Sequence, residues 1–448
     1  MFTDVIAALA TPAGRSALAV IRVSGEGAFE VAGKLVAHDG PVLAGLEPRQ
    51  TTLVTLVAPD QSEIDRAMVT VFRAPASYTG QDLVEISCHG GLLVPAQVLG
   101  SLYAAGARRA LPGEFTRRAV LGGKLDLLQA EAIGDLIDAT APAQARAALH
   151  QLDGGLSRRL EGLREELLEL LALLSYDIDF PEEDEAPIPR ERVRERLDLV
   201  RERVERLLAT APAGERIREG ALVVLAGRPN AGKSSLFNAL LGTSRALVTE
   251  IPGTTRDTIE SATDLLGWPV RLADTAGIRD ADERLEQMGI EVSRRYVAAA
   301  DLLLLCAESG RALAPEERQI LADRPAVLVR TKADLVTASP RAEEGISVSV
   351  ITGEGLDRLR EAIADRLFTD VGGGSDLEPM LTRERHQVAL ARAAAALPAA
   401  RLELGQGRDP VLAAHHIQGA VEALEELIGV VHPEEVLGRI FERFCVGK

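Results

Sequence analysis

The chain has 448 residues, 46% of them hydrophobic, a length that fits roughly two to four globular domains. Its net charge of −17 excludes a generic nucleic-acid binder, so any RNA contact must come from a local basic patch. The three cysteines, Cys88, Cys306 and Cys445, have neither disulfide-framework nor metal-ligand spacing, and no apolar run long enough for a membrane or basic-plus-apolar N-terminal signal is visible; the expectation is a cytoplasmic protein with no membrane contact.

In chain order, residues 1–118 mix short β-like runs, Leu18–Val23, Ala67–Phe72 and Leu83–Ser87, with Gly/Pro turns, as an α+β domain does. His89 beside Cys88 suggests a catalytic pair, but adjacent strand residues point to opposite faces, so a structural place beside the Gly90-Gly91 turn is expected. The pairs Arg108/Arg109 and Arg117/Arg118 are open to two readings, solvated charge or an RNA-facing patch. From about residue 120 the pattern turns helical. Leu156, Leu160, Leu163, Leu167, Leu170 and Leu174 line one face. Val193, Leu197, Val200, Val204 and Leu207 repeat at spacings of four and three. Pro181 and the acidic run Glu182–Glu185 interrupt the two helices and read as a solvated turn.

Residues 227–234, Gly-Arg-Pro-Asn-Ala-Gly-Lys-Ser, fit the pattern G-x-x-x-x-G-K-[ST]. An apolar run, Ala221–Ala226, precedes them and a helical pattern, Leu236–Leu241, follows. A strand, a Gly-rich loop and a helix start in that order cradle a polyphosphate with successive amides. Asn230, Ala231, Gly232, Lys233, Ser234 and Ser235 are therefore candidate nucleotide contacts. Lys233 reaches toward the β/γ-phosphates and is a catalytic candidate, and Ser234 is a Mg²⁺ ligand candidate. Gly253-Thr254-Thr255-Arg256-Asp257 supplies a loop whose Thr255 hydroxyl can complete the Mg²⁺ shell. A strand, Val270–Ala273, ends in Asp274-Thr275-Ala276-Gly277. There Asp274 would hold Mg²⁺ through water and the Gly277 amide would meet the γ-phosphate.

A base reader follows: strand Ala326–Arg330 leads into Thr331-Lys332-Ala333-Asp334. A carboxylate at 334 accepts from both N1–H and the 2-amino group of guanine, whereas adenine offers neither donor, so a buried Asp334 would select GTP and GDP. Thr331 stands where Asn is usual, which puts its loop-bracing contacts in question. Ser349-Val350-Ile351 occupies the last base-contacting loop. The residue after D-x-x-G is Ile278, which cannot orient water as a Gln does. Arg256, Arg279 or a monovalent cation on Asn230 are the remaining means of charge neutralisation.

A Gly372-Gly373-Gly374-Ser375 linker leads into further helix over 380–443. The expected architecture is α/β plus α: an N-terminal α+β domain (1–118), a helical domain in two parts (119–215 and 371–448), and a Ras-like doubly wound P-loop G domain (216–370) inserted between them. There is no internal repeat and no second P-loop.

The chain resembles the MnmE (TrmE) family of tRNA-modifying GTPases over nearly its whole length. The resemblance rests on Ala10-Thr11-Pro12 with Gly14-Arg15, Pro75-Ala76-Ser77-Tyr78-Thr79-Gly80 and Cys88-His89-Gly90-Gly91. It continues through Pro112-Gly113-Glu114-Phe115-Thr116, Gly123-Lys124-Leu125-Asp126-Leu127 and Gln129-Ala130-Glu131-Ala132. Asp179-Phe180-Pro181, Gly253–Asp257 and the terminal Phe444-Cys445-Val446-Gly447-Lys448 complete it.

That resemblance implies a homodimer built through a folate-binding-like N-terminal domain. It implies an FAD-dependent partner, MnmG (GidA), in a heterotetramer that modifies carbon-5 of the tRNA wobble uridine to an aminomethyl or carboxymethylaminomethyl form. The one-carbon unit would come from a tetrahydrofolate derivative, 5-formyl or methylene, with Arg22, Glu85, Lys124 and Lys448 at the folate positions. It further implies K⁺ activation, with Asn230, Thr249, Ile251 and Thr254 as ligands, and Glu286 as the acid that orients water. Cys445 is open to two readings, a nucleophile on uridine carbon-6 or a conformational thiol. A different class, a ribosome-assembly-type GTPase switch without covalent RNA chemistry, is the alternative.

Overall fold

A computed structural model describes residues 3–179, 190–242, 260–274, 295–336, 344–371, 380–405, 409–429, 434–442 and 444–447. The chain forms two compact units, one of Met1–Gly134 with Glu425–Lys448, the other of Asp135–Leu424.

The first unit is built on a six-stranded sheet. Its strands are β1 (Ile6–Leu9), β2 (Gly14–Ser24), β3 (Thr51–Val57), β4 (Glu63–Phe72), β5 (Leu83–Gly91) and β6 (Arg108–Arg109), in the order β3-β4-β5-β2-β1-β6. All neighbours are antiparallel except β1 and β6. The alternation on β2 and β5 explains the one-sided burial: Ala19, Ile21 and Val23 with Val84, Ile86 and Cys88 face the core, joined there by Val98 and Leu102 of the helix Leu93–Ala105. The expected runs Leu18–Val23, Ala67–Phe72 and Leu83–Ser87 all fall on strands; the short β1 and β6 carry too few residues for a pattern. Val120, Leu127 and Ala130 form a second small core with Leu437 and Phe441, which ties the C-terminal helix Glu434–Phe441 to this unit.

Arg118 is the buried polar centre of the unit. Its guanidinium donates to Asp4 at 2.8 Å and to Glu114 at 2.9 Å, and its side chain is 1% exposed. Arg108 binds the same two carboxylates, each at 2.7 Å. Of the arginines considered for an RNA-facing patch, Arg118 is thus a buried structural cation, because the chain start and the helix Glu114–Leu121 close over it.

The second unit contains a six-stranded sheet of β7 (Ala221–Gly227), β8 (Glu260–Leu265), β9 (Trp268–Asp274), β10 (Leu302–Glu308), β11 (Ala326–Thr331) and β12 (Ile346–Ser347). The order β12-β11-β10-β7-β9-β8 is the doubly wound pattern, parallel except for the β8–β9 hairpin. Central strands β7 and β10 are apolar along almost their whole length, as strands covered on both faces must be. In the helical part, Leu156, Leu160, Leu163, Leu167, Leu170 and Leu174 of the helix Gly155–Asp179 are all buried. So are Val193, Leu197, Val200, Val204 and Leu207 of the helix Arg190–Leu208. Each such side chain contributes about 1.5–3 kcal/mol on burial, so this stripe outweighs the charged face opposite, where Arg203 meets Glu166 and Arg401 meets Asp198. Among the described residues no helix is long and apolar enough to cross a membrane.

Candidate functional site

The loop after β7 carries the backbone that phosphate binding needs. Gly227, Asn230 and Gly232 have φ of 143°, 61° and 80°. Gly227 is required because a Cβ there would strike the Cys306 carbonyl oxygen on the neighbouring β10. The helix Lys233–Leu241 begins directly after this loop, so its free amides face the sheet's carboxyl edge. Lys233 is buried, and its ammonium donates to the carbonyls of Gly227 at 3.1 Å and Arg228 at 2.8 Å. The lysine thus spans the mouth of the loop that its own helix closes. Ser234 and Ser235 are exposed on the first turn.

Asp274 ends β9, buried, in register with Leu225 of β7. Cys306 lies between the charges: burial raises its thiol to about 12, Lys233 opposes that shift and Asp274 adds to it. Cys306 is fully buried in the core of this sheet.

Thr331 ends β11, and its hydroxyl lies 2.8 Å from the Ala231 carbonyl and 3.3 Å from that of Ala307. The loop brace in question for so short a side chain is present. Asp334 departs from expectation. It sits on the turn Ala333–Leu335 and is exposed rather than buried, since that turn projects past the end of the sheet. Its carboxylate accepts from the Ser349 hydroxyl at 2.6 Å. Ser349 is buried, and its own amide donates to the Glu354 carbonyl at 3.0 Å, so this residue orients Asp334 instead of offering an amide to a base. Lys332, in left-handed backbone at φ 57°, pairs with Glu308. The Ser349 role escaped sequence reasoning because residues 15 apart along the chain meet only once β11 and β12 pair.

Thr249, Ile251, Thr254, Thr255, Thr275, Ala276, Gly277, Glu286 and Lys448 lie outside the described residues.

In the other unit, Arg22 of β2 stands opposite Glu85 of β5, and their side chains pair at 2.8 Å. The Arg22 guanidinium lies 5.4 Å from the centre of the Tyr78 ring, a cation–π contact. The Tyr78 hydroxyl bonds Thr116 at 2.8 Å, and burial raises its pKa above the ordinary value. Gly80 follows at φ +79°, where a Cβ would come within 3.2 Å of the Lys124 stem. The structure therefore brings Arg22, Glu85 and Lys124 to one turn, Tyr78–Gly80. Tyr78 was missed as a member, although it lies inside one of the sequence motifs noted above.

The C-terminal segment lies along the same unit. Val446 bridges Pro112, and the Gly113 amide donates to the Cys445 carbonyl at 3.4 Å. Cys445 is exposed, unlike Cys88, whose burial raises its thiol to about 11. His89 pairs with Asp65 at 2.7 Å and points away from Cys88, as alternation requires.

A doubly wound sheet, a P-loop holding its lysine, an acid ending the strand beside it, and a Thr-Lys-Ala-Asp base turn together define a P-loop GTPase, an enzyme that hydrolyses GTP. Two family models match the chain beyond that domain: the MnmE helical domain over residues 127–445 and the GTP-binding protein TrmE N-terminus over residues 5–124. The chain is 41% identical over 446 residues to the tRNA modification GTPase MnmE of Akkermansia muciniphila, covering 99% of this chain and 98% of that protein. It is 42% identical over 469 residues to the corresponding protein of Heliobacterium modesticaldum, covering 100% of both, and 42% identical over 456 residues to that of Chloroflexus aurantiacus, covering 99% and 100%. The chain belongs to the MnmE family of tRNA modification GTPases.

Proposed function

We propose that this GTPase is K⁺-activated and modifies carbon-5 of the tRNA wobble uridine with an FAD-dependent MnmG-type partner, using a one-carbon unit from 5-formyl- or methylene-tetrahydrofolate. Residues 1–118 form the folate and dimerisation domain, 119–215 and 371–448 the helical domain, and 216–370 the G domain. The observation that carries this reading is the cluster of Arg22, Glu85, Tyr78 and Lys124 on a chain that also bears the P-loop. Its charges suit a ligand with both an anionic tail and a donor-rich ring. Lys448 joins these residues at the folate. Family membership favours covalent tRNA modification over the ribosome-assembly switch.

In the G domain, Lys233 and the amides of Asn230–Ser235 hold the phosphates, with Gly277, Thr275 and Ala276 at the γ-phosphate. Ser234 and Thr255 hold Mg²⁺ with Asp274 behind a water. Asn230, Thr249, Ile251 and Thr254 hold K⁺, which neutralises charge where Ile278 leaves no Gln. Glu286 orients the attacking water, Asp334, set by Ser349, reads guanine, and Thr331 and Lys332 contact the same nucleotide. The protein works in the cytoplasm as a homodimer that assembles with MnmG into a heterotetramer.

The test is GTP hydrolysis in K⁺ against Na⁺ at equal ionic strength, with mass spectrometry of tRNA nucleosides from a deletion strain. Faster turnover in K⁺ and loss of the wobble modification are expected. Equal rates in the two salts would remove the cation from the reading, and unchanged wobble uridines would restore the switch.

A further inference from the structure

We propose that the β8–β9 hairpin passes the nucleotide state of the G domain to the helix Pro142–Leu152 through Gly267, Arg271, Arg218 and Gln144. The hairpin is placed to sense nucleotide. In sequence, β8 follows the Gly253–Asp257 motif, and β9 ends in Asp274.

Two routes leave the hairpin within the same compact unit. At its turn, the Gly267 carbonyl accepts from the Ala143 amide at 3.0 Å, one of the orphan donors at the helix start. Midway along β9, Arg271 donates to Glu260 at 3.2 Å and to the Gly220 carbonyl at 3.1 Å. Gly220 ends the helix Ala211–Glu219 and directly precedes β7, where the chain enters the sheet of the G domain. Two residues earlier, the Arg218 carbonyl accepts from the Gln144 amide nitrogen at 2.8 Å, and Arg218 donates to the Thr382 carbonyl at 2.8 Å. Thr382 belongs to the returning connection. Both crossings of the chain and the helix start are thus joined at Gln144 and Arg218.

Gln144 fixes the helix start as well. Its Oε1 accepts from the Thr140 amide at 2.8 Å and the Ala141 amide at 3.0 Å, while its Nε2 faces the G-domain connection. One side chain therefore reads both sides. Gln144, Arg218 and Thr382 also border a cavity of about 100 Å³ with Asp135, Asp138 and Gln151, which leaves room for the helix to shift without overpacking. Coupling requires a physical element whose arrangement both sites bias; a helix start bonded to the hairpin on one side and the connections on the other is such an element.

Gln144→Glu separates the two roles. It keeps the acceptor at the helix start and removes only the donor to Arg218; a carboxylate at that position also suits the helix dipole. Hydrogen exchange of the full chain, loaded with GDP or with a non-hydrolysable GTP analogue, reads the coupling at residues 142–152. The expected wild-type difference is at least about fivefold. In Gln144→Glu it shrinks to about twofold or less, with basal GTP hydrolysis and GTP affinity unchanged. Arg271→Met, which cuts the second route, is expected to shrink it as well and serves if the first variant does not fold. The proposal is overturned if exchange at 142–152 is the same in both nucleotide states, or if a folded variant keeps the whole wild-type difference.

Discussion

The hydroxyl of Thr331 reaches the Ala231 carbonyl at 2.8 Å, so the end of β11 braces the phosphate loop although the longer Asn side chain is missing. Thr331 is buried, and its Cβ lies 3.5 Å from where a Cβ on Gly232 would stand. The brace and the glycine are matched to each other.

Thr331→Val keeps the shape and removes the hydroxyl, leaving buried carbonyls without this donor. GTP and GDP affinity are expected to fall together by about tenfold, the value of roughly one net hydrogen bond plus its unsatisfied partner. Rejection of ATP stays as it was, because the base is not touched. Calorimetric titration with the three nucleotides checks this, and Thr331→Ser should restore binding.

Asp334 makes a different prediction. Its Oδ1 accepts from Ser349 at 2.6 Å, and the exposed carboxylate can accept from a base rich in donors. Asp334→Asn places an amide donor against the 2-amino group of guanine. GTP affinity should drop by about 10²-fold or more, while xanthine nucleotides, which carry an oxygen at that position, gain. Competition between GTP and XTP for the purified variant measures the exchange.

Periodicity alone exposes much of this arrangement. The eleven core positions on the helices Gly155–Asp179 and Arg190–Leu208 form apolar stripes that report themselves, and the runs Ala221–Ala226, Val270–Ala273 and Ala326–Arg330 fall on β7, β9 and β11. The P-loop was legible because its chemistry is local: eight consecutive residues set both backbone and lysine. What stayed hidden depends on pairing across distance. Ser349 under Asp334 and Glu114 against Arg118 and Asp4 need strands or chain ends to meet first. Exposure was also illegible, since Asp334 on its projecting turn and Cys445 after the last helix carry no sequence mark of their surroundings.

The pairing of Arg22 with Glu85 at 2.8 Å separates a ligand site from a structural one. Both side chains are partly exposed, and a pair of that kind contributes about 0–1 kcal/mol to stability. Arg22→Ala should therefore lower the melting temperature little. If these residues hold folate, affinity for 5-formyl-tetrahydrofolate falls at least about tenfold, because a charge-assisted hydrogen bond to the ligand is lost. A large loss of stability with unchanged folate titration would assign the pair to the sheet alone.

The cluster around Arg118 predicts acid sensitivity of the first unit. Burial raises the Glu114 carboxyl, but hydrogen bonds from Arg108, the Leu111 amide and Arg118, with the charge of Arg118, outweigh it and hold the group below its ordinary 4.5. Asp4 is lowered too: burial raises it, and hydrogen bonds and charge from Arg108 and Arg118 prevail. A lowered folded-state value means that the fold prefers the ionised form. Its stabilisation is whole above the ordinary carboxylate range and is lost as the pH falls through the lower folded values. Thermal melts of the full chain should fall between about pH 5 and about pH 3, and Glu114→Gln should flatten part of that slope. Arg118→Met, which leaves Glu114 to Arg108 and the Leu111 amide and removes its buried donor, should cost about 1–3 kcal/mol at neutral pH. In acid the deficit should narrow, since a protonated Glu114 no longer needs that partner.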